Sequence, residues 1–74
     1  MITGETIRLL RNAKGLKQKT VADKLHISQP AYSKLEKKTS INRHTLESIK
    51  KIFCCTDEDI EVVQKLLPFF GKKD

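Results

Sequence analysis

Between Leu16 and Glu36 the apolar residues fall into two short runs of helical spacing, with little more than a corner between them. Val21, Ala22 and Leu25 recur at offsets of three and four, which puts them on one side of a helix. Tyr32 and Leu35 lie three apart in the second run, and Ile27 stands where it closes the corner. Ser28 is suited to begin that second helix, because its hydroxyl can accept a first-turn backbone N–H. Pro30, two residues later, falls where a missing donor costs nothing. The spacing predicts one helix over Gln18 to Leu25 and another over about Gln29 to Lys37, set at an angle by the turn.

The flanks read as three further helices. The first is expected from about Gly4 to Ala13, with Thr3 as its N-cap, Gly15 ending it, and Ile7 and Leu10 as core positions. Lys17 precedes the next helix and offers no acceptor, so that start is expected to fray. At His26 the chain is expected to turn through the left-handed region, which Gly enters freely and His at some cost. A role for His26 as pH sensor or metal ligand is the alternative, and the structural reading is favoured. A polar loop, Lys38 to Asn42, follows, with Ile41 as its anchor in the core. Asn42 can cap a helix from Arg43 to Phe53, whose Leu46, Ile49, Ile52 and Phe53 repeat every three or four residues. Thr56-Asp57-Glu58-Asp59 is close to a capping box, with Asp59 in the place of the usual Glu. It opens a helix expected over 57–67 and stopped by Pro68, leaving 68–74 as a short tail. Five helices and no strand signal in 74 residues make one compact all-α domain, residues 1–67. With 38% hydrophobic residues and no Trp, the chain can build a small bundle but not an enclosed active-site cavity as well.

Two helices joined by a turn of three or four residues form a helix-turn-helix, whose second helix can enter a DNA major groove. Gln18, Ala22, Ile27, Ser28, Ser33 and the pair Leu35-Glu36 stand in a pattern that resembles the lambda-repressor-like (Cro-type, XRE) DNA-binding family. The resemblance runs from about Gly4 to about Ile60. In that family a Gln opens the first helix and a small residue sits where the two helices touch. A hydrophobe-Ser pair precedes the recognition helix, and an aliphatic-Glu pair closes it. Three departures stand out: His26 for the usual Gly, Lys17 for a Ser or Asn cap, and Lys37-Lys38 for Asn-Gly. The first two are expected to lower stability, and the third removes a helix stop but adds charge near DNA.

Charge follows the same division. Residues 1–51 hold twelve Lys and Arg against four Asp and Glu, whereas residues 52–74 hold three Lys against five acids. A polyanion on one side and a different kind of contact on the other would suit that asymmetry. On the recognition helix, the Gln29 amide can donate and accept at once, which matches N6 and N7 of adenine. Lys34, one turn beyond Pro30, suits guanine or a phosphate, and Ser28 and Ser33 offer hydroxyls nearby. Pro30 and Ala31 offer apolar contact to a thymine methyl. Lys17, Lys19, Lys38 and Arg43 flank the helix as candidate phosphate contacts. The resemblance adds a base contact at the Gln29 position, and at Gln18 a bond both to a phosphate and to the first recognition-helix side chain. It also implies an internal ion pair for Glu36, with Arg8 or Arg11 as partner. Tyr32 occupies a core aliphatic position, so its ring is expected inward with the hydroxyl at the rim.

Other classes find little footing. There is no Gly-rich phosphate loop and no His-Glu-x-x-His pattern, and no nucleophile with a plausible base, so no enzyme and no cofactor are expected. His26, His44, Cys54 and Cys55 lack zinc-site spacing. The adjacent cysteines are poorly arranged for a structural disulfide, and a redox role is the alternative to two small hydrophobes at a helix end. No long apolar run or leader pattern is present, so a cytoplasmic chain with no membrane role is expected. The last helix carries Ile60, Val63 and Leu67 on one stripe and Val62 and Leu66 on a neighbouring one, with Phe69 and Phe70 beyond. This second stripe reads as a dimer or partner surface, unless Phe69 or Phe70 folds back over the bundle. The expected function is a homodimeric transcriptional regulator that binds double-stranded DNA on a palindromic operator and acts by occupancy. The alternative is a protein-interaction module or antitoxin, whose apolar C-terminal surface binds a partner such as a toxin.

Overall fold

Among the described residues, four of the five helices start on a side chain that accepts a backbone N–H of their own first turn. The computed structural model describes residues 2–70, with side chains described as far as Leu67. Its helices are α1 (Gly4–Ala13), α2 (Gln18–Leu25), α3 (Gln29–Leu35), α4 (Arg43–Phe53) and α5 (Asp57–Phe70). Among the described residues there is no strand. Thr3 caps α1 through Thr6 N–H at 3.3 Å, Ser28 caps α3 through Ala31 at 3.2 Å, and Asn42 caps α4 through Thr45 at 2.8 Å. Thr56 and Asp59 exchange bonds of 3.0 and 3.2 Å at the head of α5, a complete capping box. Lys17 makes no such bond to α2.

The helix ends follow a second rule. Gly15, His26 and Cys54 all adopt the left-handed conformation, at φ of 70°, 62° and 55°. After each, the next N–H reaches back five positions: Leu16 to Arg11, Ile27 to Ala22 and Cys55 to Lys50, at 3.0–3.1 Å. Leu16, Ile27 and Cys55 then turn toward the core, which is the hydrophobic contact that accompanies this stop. Only one of the three left-handed positions is a glycine. His26 meets the expectation; Cys54 carries no local signal of the same kind.

Two boundaries differ from expectation. α3 ends at Leu35 rather than Lys37, because Lys37 and Lys38 bond back only three residues, to Lys34 and Leu35. That tighter turn swings Lys38 back so that its carbonyl accepts the Gly4 N–H at 2.9 Å. α5 does not stop at Leu67 but passes through Pro68 to Phe70, three residues beyond the expected end of the helix. A proline forfeits its own donor, yet the residues after it keep theirs and can continue the helix. The side chains of Phe69 and Phe70 lie outside the described residues.

Ile7, Leu10, Val21, Ala22, Tyr32, Ile41, Ile49, Phe53, Cys55 and Ile60 form the buried core. α2 packs on α3 and α4, and α5 packs on α1. Ile41 is held in the core as expected, and its N–H bonds to Ile2 at 2.9 Å. Leaving α3 with one face bare is the consequence: of its seven residues, only Tyr32 is fully buried.

Candidate nucleic-acid interface

α3 is positioned from behind by a polar cluster that joins three helices. Glu36, at the end of α3, is buried, and its carboxylate accepts Arg11 Nε at 2.6 Å and Arg11 Nη2 at 3.4 Å. Gln18 Nε2 donates to Oε1 of the same carboxylate at 2.9 Å, the oxygen that Arg11 Nη2 also reaches. Arg11 Nη1 closes the cluster on the Leu16 carbonyl at 2.8 Å. Burial alone would raise the Glu36 pKa, but the Arg11 guanidinium, the adjacent Tyr32 hydroxyl and the Gln18 amide outweigh it and hold the carboxyl below its ordinary value. The same pairing raises the Arg11 pKa. Of the two arginines that could serve Glu36, Arg11 is the partner; Arg8 pairs with Glu5 at 3.0 Å.

This cluster corrects two expectations. Gln18 gives its amide to Glu36 rather than to Gln29, because the carboxylate is charged and within reach, and a charge-assisted bond is the stronger. Tyr32 does turn its ring inward, but its hydroxyl is not at the rim. It is fully buried beside Glu36 and makes no hydrogen bond among the described residues. Burial first, and Glu36 second, push the phenol well above its ordinary pKa.

Gly4 braces the same end of α3, a packing role that its local sequence does not announce. A Cβ there would collide with the backbone of Leu35 and Glu36, so only glycine lets the start of α1 touch the end of α3. A glycine at the first turn of a helix, where other residues would serve, is the one signal that could have pointed to it.

The outward side of α3 carries the expected set. Gln29, Pro30, Ala31 and Lys34 are exposed, and Ser33 is half-buried on the flank. Ser28 is exposed, with its oxygen engaged by the Ala31 N–H. Lys38 is exposed in the loop after α3, and Arg43 at the first turn of α4. Lys17 and Lys19 are exposed at the start of α2, where Lys19 meets Asp23 at 3.3 Å across open solvent. An exposed pair of that kind contributes little and leaves the cation available. α3 thus presents an amide, two apolar surfaces and a cation, with further cations beyond both of its ends. Phosphates along a duplex would meet the cations, and base edges would meet the helix.

The remaining titratable groups are placed elsewhere. Lys50 bridges α4 to Asp57 at 2.6 Å, which raises its own pKa and lowers that of Asp57. Cys54 is exposed and Cys55 buried; burial pushes the Cys55 thiol up, away from thiolate chemistry. Among the described residues no group of three or more His, Cys, Asp or Glu is placed to hold a metal ion. No described helix is long and apolar enough to cross a membrane.

Compared with known families, residues 7–58 match the model described as helix-turn-helix. No curated protein and no solved structure matches the chain.

Proposed function

The chain belongs to the helix-turn-helix family of the lambda-repressor-like (Cro-type, XRE) kind, a family of DNA-binding domains, and from that premise we propose that it is a sequence-specific transcriptional regulator of double-stranded DNA. One observation carries this reading: the bare side of α3, where Gln29, Pro30 and Lys34 stand exposed on a helix fixed from behind by Arg11 and Glu36. Gln29 reads a base, Lys34 reads guanine or a phosphate, and Lys17, Lys19, Lys38 and Arg43 hold the backbone of the duplex. Gln18 reaches a phosphate while it braces Glu36. Two copies bind a palindromic operator, with half-sites about one helical turn or a multiple of it apart. The protein acts in the cytoplasm by occupying its site.

Selection of bound duplexes from a random pool tests the reading directly. A regulator enriches one motif with two-fold symmetry. Enrichment of nothing, with no salt-sensitive binding to any duplex, overturns it.

A second reading draws on α5. Val62 and Leu66 are 56% and 39% exposed on the side turned away from Ile60. That stripe serves as the dimer surface or, in the alternative, docks a partner protein such as a toxin, with DNA contact secondary. Sedimentation of the wild type against a Val62→Ser/Leu66→Ser variant separates the cases. Loss of a dimer supports the first, and an unchanged monomer favours the second.

A further inference from the structure

A cleft of about 620 Å³ opens between α3 and the first half of α4, next to the side of α3 assigned to DNA. Leu25, Ile27, Ala31 and Leu35 form an apolar floor, and three of them are packed against the core. Lys34 and Lys38 line it from α3 and the loop that follows, and His44, Thr45 and Ser48 line it from α4. No acidic side chain lines the cleft, and among the described residues neither lysine is in an ion pair. It is a half-open groove whose volume lies within the range of small-molecule sites, which are mostly apolar with a few convergent polar groups.

These features select a ligand class. A bare phosphate would leave the apolar floor wet, and a neutral hydrocarbon would leave two cations without a partner. A nucleic-acid duplex can meet the lysines and lay a thymine methyl on Pro30 or Ala31, but it offers no apolar body for the half-buried Leu25, Ile27 and Leu35. The cleft fits a molecule with an apolar body and one anionic end.

We propose that this cleft binds a small amphipathic carboxylate, with its acid group on Lys34 and Lys38 and its body on Leu25, Ile27, Ala31 and Leu35. Because Lys34 and Pro30 also belong to the side of α3 assigned to DNA, such a ligand and a duplex exclude one another. This last clause rests on the DNA-binding reading; the binding of the carboxylate does not.

The test uses the full chain with anilinonaphthalene sulfonate as a fluorescent amphipathic anion and decanoate as its competitor. Saturable binding of one probe per chain, reversed by decanoate, is expected. Lys34→Ala with Lys38→Ala weakens it roughly tenfold or more, as loss of a charged hydrogen bond should. Ala31→Leu, which fills the cleft and keeps both charges, weakens it as well. Circular dichroism checks that each variant stays folded, and Lys51→Ala, which removes an exposed cation of α4 outside the cleft, leaves the probe unaffected. Probe binding that survives the cleft variants, or that falls as far with Lys51→Ala, overturns the proposal. In the second arm, added decanoate weakens binding to a duplex at low salt. Independent binding of decanoate and duplex overturns their exclusion. Failure to bind any duplex overturns the DNA reading alone, and the cleft then stands or falls by the probe.

Discussion

Arg11 Nε donates to Glu36 Oε2 at 2.6 Å across 25 positions of sequence, and by that bond α1 holds the end of α3. Both side chains are nearly shielded from water, 12% and 3% exposed. Removing one partner of such a pair strands the other, so Glu36→Ala is expected to cost about 3 kcal/mol in urea denaturation. The pH dependence follows from the lowered Glu36 pKa. Its stabilisation is complete above the unfolded value of about 4.3 and is lost as pH falls through the folded value. Glu36→Gln should therefore flatten the acid limb of stability; an unchanged limb would place the acid-sensitive group elsewhere.

Gly4→Ala drives a methyl group into the Leu35 carbonyl, where backbone rather than a flexible side chain must give way. The expected cost is about 1–3 kcal/mol. Thermal unfolding reads it, and a neutral result would mean that α1 and α3 part without penalty.

His26 and Cys54 occupy left-handed helix ends that favour glycine. His26→Gly and Cys54→Gly should each stabilise by about 0.5–1 kcal/mol, the relief of strain being partly offset by a freer unfolded chain. His26→Gly should also leave DNA affinity unchanged. A marked loss of affinity would give the imidazole a role that its place in the turn does not require.

α2 starts without a side-chain cap at Lys17. Lys17→Ser supplies one and should raise stability by about 1 kcal/mol. The same change removes a proposed phosphate contact, so the salt slope of DNA binding should fall while the melting temperature rises. Movement of both in the same direction would contradict the assignment.

Gln29→Ala should cost about 1–3 kcal/mol on the selected operator and little on random duplex. Lys38→Ala should weaken both targets alike and reduce the salt slope by about one ion. Equal losses on every sequence from Gln29→Ala would show that it does not read a base.

What is legible in the chain is what a helix decides locally. Thr3, Ser28, Asn42 and Thr56 each cap a helix within three residues of themselves, so their positions define four starts. The apolar spacing places Ile7, Val21, Ile49 and Ile60 inside, as found. Gln29, Pro30 and Lys34 are expected outside for the same reason, and they are exposed. What escapes a reading of the chain needs a partner from far along it. Gln18 meets Glu36 only once α2 and α3 have closed, and Gly4 matters only because Leu35 arrives beside it. The Tyr32 hydroxyl lies buried beside Glu36 and Arg11, and Arg11 comes from α1, far back along the chain. Cys54 gives no hint of its backbone, since nothing in a cysteine favours the left-handed region.

Two backbone bonds, Gly4 to Lys38 and Ile41 to Ile2, fasten the first residues to the loop that carries Lys38. The leading segment and this cationic loop therefore form one mechanical piece, like a hasp and its staple. If a duplex takes Lys38 as the proposed phosphate contact and stiffens the loop, amide protons at Gly4 and Ile41 should slow their exchange together, so the chain's first turn would report occupancy at a distance from the bases.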